Sequence, residues 1–375
     1  KSTVTVESGA KKGDAKKIMS LMMLGAKKEH TLSFTVEGKR IHAHGGSVIY
    51  IDGTYYWYGE NKEKTTGDND IWTWGVRCYA SKDLYNWEDK GLIIEPEPDK
   101  PESSLCPTSV MLDRPHIIYN RMTGKYVCWM KIMHKDGVQT ETVMTADNIL
   151  GPYEMVKEGL RPLGMSAGDF DLAVAPDGKA YYYFERVHSE TICADLTDDY
   201  TGVTGYYSTH FPHLCPPDVR EATAHFCRKG KHYLITSGTT DYFPNPSEAA
   251  VADTWHGPFT VLGNPHVGDA SNTSFHSQIS CVFKVEGKKD LYIACADRWL
   301  PELQHLEYEV YGRLFREHFD PNHHSDNAMK EMAAYLKGHS FRNTSIADYV
   351  WLPLRFDGEM VYIDWHDKWK IEDYE

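Results

Sequence analysis

IDGTYYWYG (51–59) decides the fold: a short apolar run, a turn glycine and an aromatic, β-prone run, which together read as a tight hairpin. Four further stretches repeat it, MTGKYVCWM (122–130), PDGKAYYYF (176–184), KGKHYLITSG (229–238) and GKKDLYIAC (287–295). Their turn glycines, Gly53, Gly124, Gly178, Gly230 and Gly287, are 71, 54, 52 and 57 residues apart. That interval suits a four-stranded antiparallel sheet with its loops, and five such sheets suit the blades of a propeller. SKDLYNWEDKG (81–91), ADNILGPYEMVKEG (146–159) and ADTWHGPFTVLG (252–263) fall between them and read as outer hairpins of the same blades.

The expectation is therefore an all-β chain with a five-bladed β-propeller over residues 40–370. A sixth run, FDGEMVYIDW (356–365), is expected to supply the strand that closes the ring and removes its open edge. Two segments fall outside the repeat. Residues 1–39, Lys-rich with one apolar patch, IMSLMML, read as an N-terminal arm packed on a blade. Residues 302–348 contain DNAMKEMAAYLKG, where Asp326 and Gly338 look like a helix cap and stop, so a partly helical insertion in the last blade is expected.

Composition narrows the partners. The 375 residues carry 40 basic against 54 acidic side chains, a formal charge of −14, which argues against nucleic acid because phosphate binding needs a cationic face. No apolar run approaches the ~20 residues of a membrane-spanning helix. Aromatic residues make up 13%, with 10 Trp and 24 Tyr, which fits an aromatic β-core and equally fits surfaces on which sugar rings stack. Eight cysteines show no CxxC and no paired Cys/His spacing, so no zinc site and no cofactor are expected; Cys128, Cys227, Cys281 and Cys295 read as reduced core residues in apolar strands. The chain starts at Lys1, which is read as the trace of a removed leader or tag, with trimming giving the same start. A monomer is expected, in a secreted or periplasmic location.

Counting back from each turn glycine to the polar residue at the start of its strand gives a regular series. His44, Asp169, Glu221 and Gln278 each lie 9 residues before their glycine, and Asp113 lies 11 before Gly124, which fits a longer turn or a bulge. The innermost strand of a blade lines the central cavity, so these side chains are expected to converge there. Buried carboxylates are costly unless paired or used, and their mutual repulsion pushes at least one pKa upward. One protonated acid beside one ionised carboxylate is what glycoside hydrolysis needs. A hydrogen-bonded structural network or a central ion is the alternative that spacing leaves open.

The segments HAHGGSVIYIDGTYYWYGENK (42–62), DRPHIIYNRMTGKYVCW (113–129), REATAHFCRKGKHYLITSGTTDYFPN (220–245), SFHSQIS (274–280), ADRW (296–299) and YVWLPLRFDG (349–358) resemble glycoside hydrolase family 43, above all its exo-acting galactan 1,3-β-galactosidases. The resemblance implies an inverting mechanism with Glu221 as general acid and Asp169 tuning it, Asp171 being an out-of-step competitor. The first blade offers His44 where most of the family has an Asp base. In the galactosidase branch a fifth-blade Gln, here Gln278, helps hold the attacking water, and Asp113 stands where that branch usually has Glu. Glu60 and Thr239 match sugar-contact positions; Trp129, Tyr242 and Trp299 are candidate stacking faces, and His44 and Arg298 further substrate contacts. Arg114 and Arg298 are suited to neutralising the ring of carboxylates. His44, His134 and His225 could surround a central ion, but one His per blade is poor ligand geometry, so no metal is expected.

The function so implied is release of terminal galactose from β-1,3-galactan or an arabinogalactan-type plant polysaccharide. The alternatives are an α-L-arabinofuranosidase of the same family, a catalytically weakened sugar-binding propeller, and a scaffold for protein partners. A scaffold has little reason to keep Glu221, Asp169, Asp113 and Gln278 in register.

Overall fold

The computed structural model describes residues 4–8, 11–14, 33–36, 38–336 and 343–375. From His44 onward the strands form five antiparallel blades. The first is His44–Ile51, Thr54–Glu60, Val76–Ser81 and Trp87–Ile94; the second is Met111–Asn120, Lys125–Met133, Gln139–Ala146 and Glu154–Leu160. The third is Ala167–Val174, Ala180–Arg186, Glu190–Leu196 and Val203–His210; the fourth is Arg220–Arg228, Lys231–Gly238, Glu248–Ala252 and Thr260–Gly263. The five repeat glycines sit in the hairpins between the first two strands of the blades, with φ between 70° and 91°, the left-handed region that glycine enters without steric cost.

The fifth blade departs from this pattern. Gln278–Lys284 and Tyr292–Arg298 form its inner half, and its outer half, Asp348–Asp357 and Met360–Asp364, comes from beyond the insertion. FDGEMVYIDW is thus the outer hairpin of this blade, and the expectation that it closes the ring as a separate strand does not hold. Closure comes instead from side chains packed between the fifth and first blades, each complete in itself. Trp57 meets Tyr349 and Trp351 edge-on at 4.6 and 4.8 Å, within a cluster that includes Ile41, Val48, Tyr79, Ile293 and Cys295. Each large side chain buried there is worth roughly 1.5–3 kcal/mol. His266–Val267 pairs in parallel with Met360–Asp364 and covers the outer edge of the blade.

The insertion is partly helical, as expected. The helix read from DNAMKEMAAYLKG spans Ala328–Leu336, and Gly338 lies outside the described residues. A helix the sequence reading did not single out, Tyr308–Phe319, precedes it; its Tyr311, Leu314 and Phe315 pack with Met332 and Leu336 against Phe243 and Trp299. No described helix is long and apolar enough to cross a membrane. At the N-terminus, Val4–Ser8, Lys11–Asp14, Ser33–Val36 and Lys39–Arg40 form a small sheet of their own, and IMSLMML lies outside the described residues. All eight cysteines are free thiols; Cys227, read as a core residue, is exposed, two residues before the turn of its hairpin.

Candidate active site

Every innermost strand breaks register beside its polar residue. In the first blade His44 pairs with Glu60 and Ser47 with Tyr58, so Gly45 and Gly46 face Gly59 alone. Arg114 and Pro115 face Met130, Gly168 and Asp169 face Glu185, and Ala222 and Thr223 face Thr236 in the same two-against-one manner. In the fifth blade Ser280 is the extra residue. A bulge bends its strand and re-aims the neighbouring side chain, so the regular offset is the distance from turn to bulge. The longer offset of Asp113 arises at the turn, where Asn120 pairs with Lys125 across four residues while Ile51 and Thr54 enclose two. Glycine is obligatory in the first blade: a Cβ on Gly46 would stand 1.9 Å from the Tyr58 carbonyl oxygen.

The re-aimed groups meet in a cavity of about 140 Å³. Glu60, Asp113, Asp169, Glu221, Thr239, Tyr242, Gln278 and Trp299 all line it, joined by Arg114, Lys131, His188 and Asp241. The helical insertion backs the wall formed by Tyr242 and Trp299, whose rings are 5.2 Å apart.

Three expected substrate contacts lie elsewhere. His44 is fully buried behind the cavity, with Nδ1 3.0 Å from Asp297 Oδ1, Nε2 3.2 Å from the Tyr349 hydroxyl, and its ring stacked on Tyr349. With both nitrogens engaged and burial lowering its pKa, it is a structural group. Trp129 is likewise sealed between the second and third blades, its indole N–H donating to the Tyr200 carbonyl at 2.8 Å. Arg298 spends its guanidinium on the carbonyls of His276 and Phe275, at 3.3 and 2.8 Å, and burial brings it down to about 10. Asp171, the competitor of Asp169, is held by His116 at 2.9 Å and by the His225 backbone N–H at 2.7 Å, away from the cavity. His44, His134 and His225 do not meet: His134 bonds to Thr140 at 2.9 Å and lines a neighbouring groove.

The electrostatics split the carboxyl groups. Burial alone would raise Asp169, but Arg114 Nη2 at 3.0 Å and Lys131 Nζ at 2.7 Å outweigh it and hold the carboxyl at about 2. Glu221 lacks such partners; burial, then the charges of Asp169 and Glu185, push it well above the usual carboxylate range. The cavity thus displaces its two carboxyls in opposite directions, Asp169 toward the ionised form and Glu221 toward the protonated one, the arrangement by which environment assigns acid and base roles. Burial pushes Glu60 up to about 7, opposed by Lys62 at 2.7 Å and reinforced by Asp113. Asp113 accepts the Trp72 indole N–H at 2.7 Å and lies 3.5 Å from Lys131.

Gln278 is fully committed to protein partners. Its amide oxygen accepts from Arg114 at 2.7 Å and Trp299 at 3.1 Å, and its amide nitrogen donates to Ser237 at 2.9 Å and Glu221 at 3.3 Å. An amide offers two acceptor and two donor positions, so a water held here has to take the place of one of them.

Sequence reasoning missed Lys131 and Trp72. The signal for Lys131 was present, a lone cation inside the apolar strand KYVCWMKIM, where charge is costly unless paired. Trp72 reaches Asp113 from a loop outside the repeat and carried no signal.

Residues 40–297 match the model of glycosyl hydrolases family 43, and residues 1–43 match that of the PTS HPr component phosphorylation site. Among solved structures the chain is similar to a family 43 β-1,3-galactosidase at 29% identity and TM-score 0.71, over 90% of this chain and 62% of that one. A second family 43 β-1,3-galactosidase, solved with galactodeoxynojirimycin, is 25% identical with TM-score 0.70, over 89% of this chain and 97% of that one. The exo-β-1,3-galactanase of Clostridium thermocellum is 26% identical with TM-score 0.63, over 88% and 63%. The chain thus spans less than two thirds of the first and third of these proteins and nearly all of the second. No curated protein matches it. The family model runs from just before the first bulged strand to the last innermost hairpin and so covers the innermost strands of all five blades and every named cavity residue but Trp299: the chain belongs to the glycosyl hydrolases of family 43.

Proposed function

We propose that the protein is an exo-acting, inverting β-1,3-galactosidase that releases terminal galactose from β-1,3-galactan or arabinogalactan-type polysaccharide. The observation that carries this reading is the opposed displacement of Glu221 and Asp169 inside a cavity sized for one sugar. Its 140 Å³ is close to the ~150 Å³ that takes one six-membered ring, a size that suits a single terminal residue. The β-1,3-galactosidase and exo-β-1,3-galactanase descriptions of the similar structures support the choice of sugar and linkage. A polymeric substrate in turn supports a secreted or periplasmic location.

In this reading Glu221 gives its proton to the glycosidic oxygen, and ionised Asp169 keeps that proton in place by raising the Glu221 pKa. Asp113, on the second blade, supplies the negative charge that takes the water's proton on the other side of the sugar. Gln278 holds Glu221 and Arg114 in place, and it contributes to the water's seat where one of its bonds gives way. Tyr242 and Trp299 offer faces to the sugar ring, and Glu60 and Thr239 offer oxygens to its hydroxyls.

The test is product release from β-1,3-galactan, arabinan and the nitrophenyl glycosides of galactose, arabinose and xylose, with the first-formed anomer read by proton NMR. Galactose released from β-1,3-galactan as the α-anomer is the expected result. Arabinose release in its place would make the protein an arabinofuranosidase, and absence of any product a sugar-binding relic.

A further inference from the structure

A second cluster of chemically capable side chains stands apart from the cavity. His225 and Cys227 are two residues apart on Arg220–Arg228, so both point to the same face of the fourth blade. His232 reaches that face from the next strand, where it pairs directly with Cys227. His225 Nε2 lies 3.3 Å from His232 Nδ1, and Cys227 Sγ lies 3.4 Å from His232 Nδ1 and 3.9 Å from His225 Nε2. These three atoms form the one such grouping of potential metal ligands among the described residues.

The distances are those of a coordination polyhedron. With metal–nitrogen bonds of ~2.0–2.1 Å and a metal–sulfur bond of ~2.3 Å, a tetrahedral ion needs edges of about 3.3 Å between nitrogens and about 3.6 Å between nitrogen and sulfur. Hydrogen bonding explains the cluster less well. A thiol is a weak donor, and two ring nitrogens that face each other can share only one proton.

We propose that His225, Cys227 and His232 form a mononuclear site for a borderline-soft divalent ion, zinc by preference, with a fourth position open to water. Two imidazoles and a thiolate suit zinc, whereas calcium and magnesium demand oxygen ligands. A neutral imidazole carries its proton on one ring nitrogen and can offer the other to a metal, so each ring needs the tautomer that leaves His225 Nε2 and His232 Nδ1 unprotonated. A thiol ligates as the thiolate, so binding must break the Cys227 S–H bond, form a metal–sulfur bond and release one proton to solvent, with no change of oxidation state. Cys227 is exposed and gives the ion a way in, while the two histidines are 8% and 7% exposed. Tyr183 of the third blade stacks on His225 at 4.9 Å and Trp255 lies 4.2 Å from His232, which fixes both ring planes. The bound ion would tie together the two innermost strands of the fourth blade. This proposal stands independently of the glycosidase reading. The motif escapes a search for CxxC or knuckle spacing because its third ligand arrives across a hairpin.

Tag-free, metal-stripped protein would be titrated with zinc in competition with a chromogenic chelator, and with cobalt while its absorption is recorded. One equivalent of zinc, a thiolate-to-cobalt charge-transfer band, and zinc protection of Cys227 from alkylation are expected. Cys227→Ser, at an exposed position, should keep the fold and weaken zinc binding more than ~100-fold, since loss of an outer-shell partner alone costs about 10–100-fold. His232→Gln should do the same. Failure to bind a stoichiometric equivalent, or binding that is unaltered in both variants, would overturn the proposal.

Discussion

Lys131 Nζ stands 2.7 Å from Asp169 Oδ1, a buried ion pair between the second and third blades at the wall of the cavity. The same ammonium lies 3.5 Å from Asp113, so one cation serves two carboxylates. The pair matters through a third group: the charge of ionised Asp169 adds to burial in raising Glu221, which has no cation in bonding contact among the described residues. In the proposed mechanism Lys131 is thus a positioning residue for acid catalysis, on a strand where a lone cation among apolar residues was its signal in the sequence.

Lys131→Met should displace the pH profile upward. Asp169 loses one of the two cations that hold it at about 2 against burial, so its pKa rises and the acidic limb of kcat moves to higher pH. Lys131 also lowers Glu221, so its removal raises that group further and the alkaline limb moves the same way. Turnover should fall about 10²-fold, the lower range for disturbed general acid–base catalysis. Loss of turnover with both limbs unmoved would reduce Lys131 to a structural role.

The ring and its polar series were legible because each rests on a local rule: a glycine at positive φ marks each inner hairpin, and a bulge lies a near-constant distance before it. What the series could not show is which way a residue faces once its strand is bulged. His44 keeps the offset of Glu221, yet it turns into Asp297 and Tyr349, and the carboxylate of its blade that enters the cavity is Glu60 from the second strand. Trp129 and Trp299 look equally suited to stacking in sequence. The first is buried between blades, and the second reaches the cavity because the helical insertion packs behind it. Asp297 is joined to the series only through the closed ring and Trp72 only through a loop that reaches the next blade, and periodicity encodes neither.

Glu221→Gln should separate substrates by their leaving groups. Hydrolysis of galactan, whose leaving group needs a proton, should slow by about 10²-fold or more, while activated aryl galactosides should suffer far less. The same variant has a signature in stability. A carboxyl raised in the native state binds a proton that the unfolded chain releases near ~4.3, so the wild type loses stability as pH rises from that value toward the elevated native one. Glutamine does not titrate, so the melting temperature of the variant should gain on the wild type as pH rises above ~4.3. Equal rate losses on both substrates, or a melting difference that does not change with pH, would remove Glu221 from the acid role.

The base is the most exposed part of the mechanism to disproof. The innermost strand of the first blade presents His44, which is sealed off, and Gln278 has its four bonding positions filled. Asp169 is tied to two cations and Glu221 holds the proton, which leaves Asp113 as the carboxylate of the series free to serve the water. Its Oδ1 is fixed by the Trp72 indole, and its Oδ2, buried without a hydrogen-bond partner, has Lys131 at 3.5 Å, so one oxygen is anchored while the other keeps its lone pairs uncommitted. Asp113→Asn keeps the anchored oxygen and removes the charge, and it should lower turnover by about 10²–10⁴-fold while the fold is retained. Azide needs no base, so it should restore turnover to this variant and give α-galactosyl azide, the inverted product. Gln278→Ala should slow the enzyme without azide rescue, because it loosens Glu221 and Arg114 and leaves the base in place. Near-normal turnover of Asp113→Asn would refute the assignment, and Glu60, pushed up to about 7 and already in the cavity wall, would then be the carboxyl to replace next.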